Sequence, residues 1–289
     1  MPLARGGQQA YGSQRVKSIP PSDVPSTAEL RLSPGEQTRL AADGYVVRAA
    51  VFTPTEVDAI VDACEELVAE LVRDRQGHRL QAGSYVFDPD FTRSVIIKWE
   101  GDSDVVHGIE PFAHLSPSLE AWGCDERLLA PMRELLGYPE IELYTEKLNL
   151  KRPHHGGANP LHQDYPYWVD VADDPATVAT AMLFLDDSTL DNGCLRVVPG
   201  SHTNGVWDRR TDGSPFLGNE IDGGAYEDVE SLPLELPAGS VVMFGSYLVH
   251  HSAANTSAAP RRALLFSYQP PGAPHMLESL RRLGAAHRS

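Results

Sequence analysis

The order of apolar and polar positions divides the chain into a helical first half and a stranded second half. Ser33-Pro34-Gly35-Glu36 has the form of a capping box, with Ser at the N-cap, Pro at the first helical position and Glu closing the turn. The two side chains satisfy backbone N–H groups that the first turn leaves open. The helix so predicted ends near Gly44, and Tyr45 to Val51 follows as a short strand. Thr53-Pro54-Thr55-Glu56 repeats the signature. The next helix carries Val57, Ile60, Val61, Cys64, Leu67, Val68, Leu71 and Val72, an apolar stripe with the period of a surface helix packed on a core. Cys64 lies in that stripe and reads as a small hydrophobe. Residues 76 to 118 read as irregular around one strand, Ser94 to Trp99, with His78, His107 and His114 in ordinary surface or loop roles. Arg127 to Leu136 is a further helix, ended by Gly137.

From Ile141 onward the period shortens to that of strands. Ile141 to Leu150 alternates, Val178 to Leu185 is a buried apolar strand, and Cys194 to Val198 and Leu232 to Leu236 are short ones. Ser240 to Ser252 reads as one strand with Val242, Phe244, Ser246, Leu248, His250 and Ser252 on a single face. Arg261 to Tyr268 is the last strand, before a C-terminal helix from about Met276. About eight short strands separated by Gly- and Pro-rich turns predict a mainly β (α+β) architecture. Its core is a double-stranded β-helix or jelly roll, cupin-like, with flanking N-terminal and C-terminal helices. Residues 1–28, rich in Gly, Gln, Ser and Pro, are expected to form a poorly ordered arm, and 29–289 a single domain. Residues 203–231 are polar and Gly-rich and are expected to insert as a lid.

Composition narrows the possibilities. A chain of 289 residues suits one sizeable core. A net charge of −16 speaks against a nucleic-acid partner, which needs a basic stripe. Cys64, Cys124 and Cys194 form no C-x-x-C pair, so neither a disulfide framework nor a zinc ribbon is predicted, and a reducing, cytoplasmic location is. Neither a signal peptide nor a membrane-spanning run is visible, and no membrane partner is expected.

The candidate chemistry begins at Leu161-His162-Gln163-Asp164-Tyr165-Pro166-Tyr167-Trp168. On an extended strand His162 and Asp164 project side by side. Together they are two thirds of a 2-His-1-carboxylate facial triad for non-heme Fe(II), although the tripeptide alone equally describes a surface His beside an Asp. His250 is the candidate third ligand, and Ser252 shares its face. Arg261 follows, with a guanidinium able to grip a carboxylate bidentately. His154 and His155 sit in a Gly-rich loop and are expected to be non-ligands.

His162-x-Asp164, then Asn192-Gly193-Cys194-Leu195-x-Val197-x-Pro199-Gly200-Ser201-His202, then His250-x-Ser252-x-x-Asn255, then Arg261, resembles the phytanoyl-CoA dioxygenase family of Fe(II)/2-oxoglutarate oxygenases. The resemblance spans roughly residues 38 to 270. It implies a jelly-roll core, Fe(II) held by His162, Asp164 and His250, and 2-oxoglutarate anchored by Arg261. Asn149 and Ser252, and more weakly Thr145 and Lys147, are implied helpers. It also implies O2 as a reactant, succinate and CO2 as products, and hydroxylation of an unactivated C–H. Asp164 disfavours a halogenase, because halogenating relatives carry a small residue there. The chain departs from the family at His251, where a Gly is usual; strand alternation favours His250 as the ligand and turns Arg262 away from the site. Tyr165, Tyr167, Trp168, Lys98, Phe87, Trp207 and His202 are candidate substrate-lining residues, with core packing the alternative for the aromatics. The substrate is expected to be a small molecule. A CoA ester is disfavoured by the lack of a basic cluster, and an Arg-, Ala- and Gly-rich composition with little Lys suggests bacterial secondary metabolism. A metal-dependent hydrolase or a non-catalytic metal-binding barrel would use the same ligand types without needing Arg261.

Overall fold

The computed structural model describes residues 30–75, 77–82, 85–101, 103–208, 221, 229–278 and 281. The expected arm at 1–28 and most of the expected lid at 203–231 lie outside them.

Both capping boxes form. Ser33 and Glu36 exchange bonds at the start of α1 (Pro34–Asp43), and Thr53 and Glu56 do so at the start of α2 (Pro54–Arg73). Gly44 ends α1 in the left-handed conformation, φ 86°, which costs glycine nothing. The stripe of α2 buries Val57, Ile60, Cys64, Leu67, Val68 and Leu71. Burial also pushes the Cys64 thiol up to about 12, so it is inert. Helices α3 (Pro117–Gly123) and α4 (Glu126–Leu136) complete the helical layer.

The strands are β1 (Tyr45–Arg48), β2 (Leu80–Ala82), β3 (Tyr85–Asp90), β4 (Val95–Trp99), β5 (Val106–Glu110), β6 (Glu142–Lys151), β7 (Asn159–His162), β8 (Ala179–Phe184), β9 (Leu195–Val197), β10 (Leu232–Leu234), β11 (Val241–Gly245), β12 (His250–Ser252) and β13 (Arg261–Gln269). They pair antiparallel into a nine-stranded sheet, β1-β11-β8-β13-β6-β5-β4-β3-β2, and a four-stranded sheet, β10-β9-β12-β7. This is the two-sheet, mainly β architecture of a jelly roll. Ile60, Leu67, Ala181, Leu183, Leu264 and Phe266 belong to the core between the large sheet and the helices. Met182, Phe184, Leu195, Val197, Val242, Phe244 and Ala263 fill the space between the sheets. β8 serves both cores, and all of its residues are buried.

Two expectations are corrected. Residues 76 to 118 are not irregular: they supply four strands that extend the large sheet. Their alternation was obscured by buried polar residues, Asp88, Asp90 and His107. Ser240 to Ser252 is not one strand. It breaks in a turn at Ser246-Tyr247, which passes the chain from β11 in the large sheet to β12 in the small one.

Candidate metal centre and anion pocket between the sheets

His162 ends β7 and His250 opens β12, and the two are cross-strand partners. Their rings lie 4.1 Å apart. His162 Nδ1 donates to the Pro160 carbonyl at 2.7 Å, and His250 Nδ1 donates to the Leu248 carbonyl at 3.0 Å. In the neutral ring each backbone bond selects the Nδ1–H tautomer and presents Nε2 as the lone pair that a metal requires. Burial first, then His250, holds His162 well below the usual histidine range and so neutral.

Asp164 completes the set by a route that strand alternation did not foresee. It is not on β7. It caps α5 (Tyr165–Trp168) with helical backbone angles, φ −73° and ψ −30°, and its carboxylate makes no capping bond. The carboxylate turns back to the histidines: Oδ1 is 3.8 Å from His162 Nε2 and 3.9 Å from His250 Nε2. The signal in the sequence was Asp164-Tyr165-Pro166, an acidic residue ahead of a proline that cannot donate to a strand ladder and is tolerated in a helix's first turn. One ligand atom from each of the three residues falls within 4.8 Å of the others, and this is the single such group of His, Cys, Asp or Glu among the described residues. Two imidazoles and one carboxylate on one side of a point suit a non-heme iron with open positions opposite. His251 points away from this centre and bonds Ser231 Oγ at 2.9 Å. His154 and His155 are exposed in their turn.

The second half of the site lies along β6 and β13. Arg261 is 1 % exposed, and among the described residues its only side-chain bond is Nη2 to the Gly193 carbonyl at 2.9 Å. Its Nε and Nη1 are buried and have no partner among those residues. Burial pulls its pKa down to about 10. Buried unmet donors on a cation are costly, and a carboxylate is the group that satisfies them bidentately. The distal carboxylate of 2-oxoglutarate therefore fits this pocket. Ser252, 3 % exposed, accepts from Asn159 Nδ2 at 3.2 Å and retains its own hydrogen for donation. Asn149 sits on β6 opposite Gly108, where a side chain would meet the Asn149 amide oxygen at 3.3 Å. Thr145 and Lys147, further along the same face, hold Glu110 at 3.1 and 3.2 Å. Lys147 also feels the Asp164 carboxylate, which, after Glu110, helps to raise its pKa against the cost of burial.

The aromatic candidates separate. Tyr167 stands edge-on to His162 at 5.7 Å, and Tyr165 stacks on Tyr247 at 4.6 Å. Lys98 lies 5.9 Å over the Phe87 ring, and its charge reaches His162. Trp168 instead packs against Tyr144 and Val178 and is 7 % exposed, a core residue. Trp207 packs with Val198, Ile221 and Val249. His202 is not brought to the triad; its ring covers Gly44 at the end of α1, where an added Cβ would meet Nδ1 at 2.4 Å.

Two residues of the site were missed. Gln163, 1 % exposed, donates to the Gly205 and Tyr247 carbonyls at 2.9 and 2.7 Å and accepts from Trp207 N at 2.9 Å. It pins both loops that flank the metal ligands. His107 was expected in a loop. It lies on β5, 2 % exposed, 2.6 Å from Glu100 Oε1 and 3.2 Å from the Asn159 amide. Burial, with Lys98 nearby, lowers its pKa to about 4.

Residues 40–263 match the family described as phytanoyl-CoA dioxygenase (PhyH). L-proline trans-4-hydroxylase of Streptomyces griseoviridis is 32% identical over 196 residues, 61% of this chain and 71% of that protein. Phytanoyl-CoA dioxygenase 1 of Oryza sativa subsp. japonica is 35% identical over 245 residues, 77% of this chain and 84% of that protein. The crystal structure of SnoK, a non-heme alpha ketoglutarate dependent carbocyclase from nogalamycin biosynthesis, superposes with a TM-score of 0.65 at 23% identity, over 88% of this chain and 89% of that one. Among the described residues, no helix is long and apolar enough to cross a membrane. With the His-Asp-His centre and the anion pocket in place, the chain belongs to the phytanoyl-CoA dioxygenase family of oxygenases, whose cofactors are iron and 2-oxoglutarate.

Proposed function

We propose that the protein hydroxylates an unactivated C–H bond of a small polar molecule, with 2-oxoglutarate and O2 converted to succinate and CO2. The observation that carries this is the pairing of an intact carboxylate ligand, Asp164, with the half-satisfied guanidinium of Arg261. Hydrolysis at the same metal would leave Arg261 without a purpose. His162, Asp164 and His250 hold the iron, which supplies O2 activation when bound. Arg261 takes the distal carboxylate of 2-oxoglutarate, with Ser252 donating to it and Asn149 beside it. Thr145 and Lys147, on the face of β6 that carries Asn149, are weaker helpers of the cosubstrate, and both also hold Glu110. Tyr165 and Tyr167 form the opposite wall and help exclude water. That one relative is named as an L-proline hydroxylase supports a small polar substrate and a hydroxylated product. Cytoplasmic residence and a place in bacterial secondary metabolism complete the proposal.

Succinate release over a panel of amino acids and other small polar metabolites tests it, with product masses taken under labelled dioxygen. A product carrying one labelled oxygen is expected. A product two hydrogens lighter and without label would overturn hydroxylation in favour of desaturation or ring closure. No succinate and no visible charge-transfer band with Fe(II) and 2-oxoglutarate would overturn the oxygenase itself.

A further inference from the structure

Lys151 is a second buried cation beside Arg261. The two residues are register partners on β6 and β13. Both side chains converge on Gly193: Arg261 Nη2 bonds its carbonyl at 2.9 Å, and a Cβ at Gly193 would lie 3.2 Å from Lys151 Cδ. Lys151 is 1 % exposed, like Arg261. Its ammonium donates to the Gly157 carbonyl and, at 2.7 Å, to the Ala253 carbonyl. Gly156 lies so close to it that a side chain there would meet Lys151 Cα at 2.6 Å. No carboxylate lies within salt-bridge distance of either cation among the described residues. Two such charges on one floor repel one another, an arrangement that an incoming anion relieves.

We propose that Lys151 is a positioning residue for the cosubstrate, making the anion pocket dicationic and selecting a dicarboxylate over a monocarboxylate keto acid. This rests on 2-oxoglutarate binding at Arg261. The groups that face Lys151 are Arg261 from β13, Lys98 from β4, Glu100 beyond β4, and His107 on β5, which feels its charge. Burial first, and then Arg261, brings its pKa down to about 7. A bound carboxylate reverses that shift, so binding is strongest where the ammonium is already charged and weakens as pH rises through about 7.

The test uses the full chain, Fe(II) without oxygen, and two keto acids with the same chelating end: 2-oxoglutarate, and 2-oxobutanoate, which lacks the distal carboxylate. Affinity is read from the charge-transfer band and by calorimetry for wild type, Lys151→Met and Lys151→Arg. K151M is expected to bind 2-oxoglutarate about ten- to thirtyfold more weakly, the effect of one charge a few ångströms away in a protein interior. Its affinity for 2-oxobutanoate should stay within about twofold, and K151R should recover most of the loss. In wild type the preference for 2-oxoglutarate should fall from about pH 7 to about pH 9, and in K151M it should be flat. A lysine that merely ties loops together would lower the thermal midpoint of K151M and weaken both keto acids alike, and that result overturns the proposal. Should K151M not fold, a flat preference in wild type across the same pH range overturns it equally. Absence of the band in wild type refutes the reading of the site; a band in wild type with no selective effect of Lys151 refutes this inference alone.

Discussion

Arg261 and Arg262 are neighbours in sequence and opposites in environment. Arg262 faces out of the large sheet, where Asp186 grips it at 2.9 and 2.6 Å and Glu65 adds a bond at 3.1 Å. Glu65 is itself shared with Arg152 at 2.7 Å. The hydrogen bonds to Asp186 lead in raising the Arg262 pKa above the ordinary arginine range. Arg261 faces in, has one carbonyl, and is pulled down by burial. Strand alternation alone separates the two. A completed charge cluster holds layers together, whereas an incomplete one stores an unmet demand that a ligand can answer. His250 and His251 repeat the contrast in the other sheet, one grouped with His162 and Asp164 and the other bonded to Ser231.

Substitutions at these two pairs would break the contrast if it is wrong. The largest effect is expected at the histidines. His250→Ala should lose iron by at least about a hundredfold, more than the loss of an outer partner of a metal ligand costs. His251→Ala should retain iron within about twofold; iron content after gel filtration decides, and the reverse outcome exchanges their roles. Next, Arg261→Met should raise the 2-oxoglutarate dissociation constant about a hundredfold, the worth of two charge-assisted hydrogen bonds. Its ligand-free thermal midpoint should hold or rise, because an unpaired buried charge is gone. Arg262→Met should do the opposite: unchanged cosubstrate affinity, and a loss of about 2 kcal/mol in unfolding free energy from the stranded Asp186 and Glu65.

The smallest expected effect sharpens the same point at a peripheral pair. Arg48 grips Glu36 at 2.8 and 3.1 Å and holds its pKa down to about 2. The folded state binds that proton less readily than the unfolded one, so the pair's stabilisation is complete above the unfolded value of about 4.3 and is lost as pH falls through about 2. Glu36→Gln preserves a capping side chain and should cost about 1 kcal/mol at neutral pH. Urea unfolding should show the gap from wild type closing as pH falls from about 4.3 to about 2, and a gap independent of pH would mean packing rather than charge.

What was legible in the sequence was local. Capping boxes depend on four adjacent residues, and both formed as written. That Arg261 and His250 face inward could be read because face alternation needs only neighbours. What escaped depended on distant partners. His107 looks like any loop histidine until β5 is paired and Glu100 and Asn159 arrive from elsewhere. Thr145 and Lys147 share the face of Asn149, and only the pairing of β5 with β6 shows that Glu110 bonds both. The apolar run from Val241 to Val249 kept its rhythm across a turn, so periodicity could not reveal that the chain changes sheets there. Gly245-Ser246 was the one local hint.

The strand that carries the first of the three candidate ligands is short. Among the described residues β7 has four residues, none fully buried, and ends the order of the four-stranded sheet, with Ile221 N donating to its Leu161 carbonyl at 2.8 Å. Edge segments of this kind open locally far more often than the domain unfolds. Its last residue, His162, stands directly across from His250. An ion shared by the two would act as a rivet through the sheet's margin. Amide hydrogens of Leu161 and His162 should exchange with deuterium at the rate of a fraying edge in the metal-free protein and only as fast as the ion departs in the loaded one. Exchange at those two positions thus becomes a clock for how long each protein molecule keeps its iron.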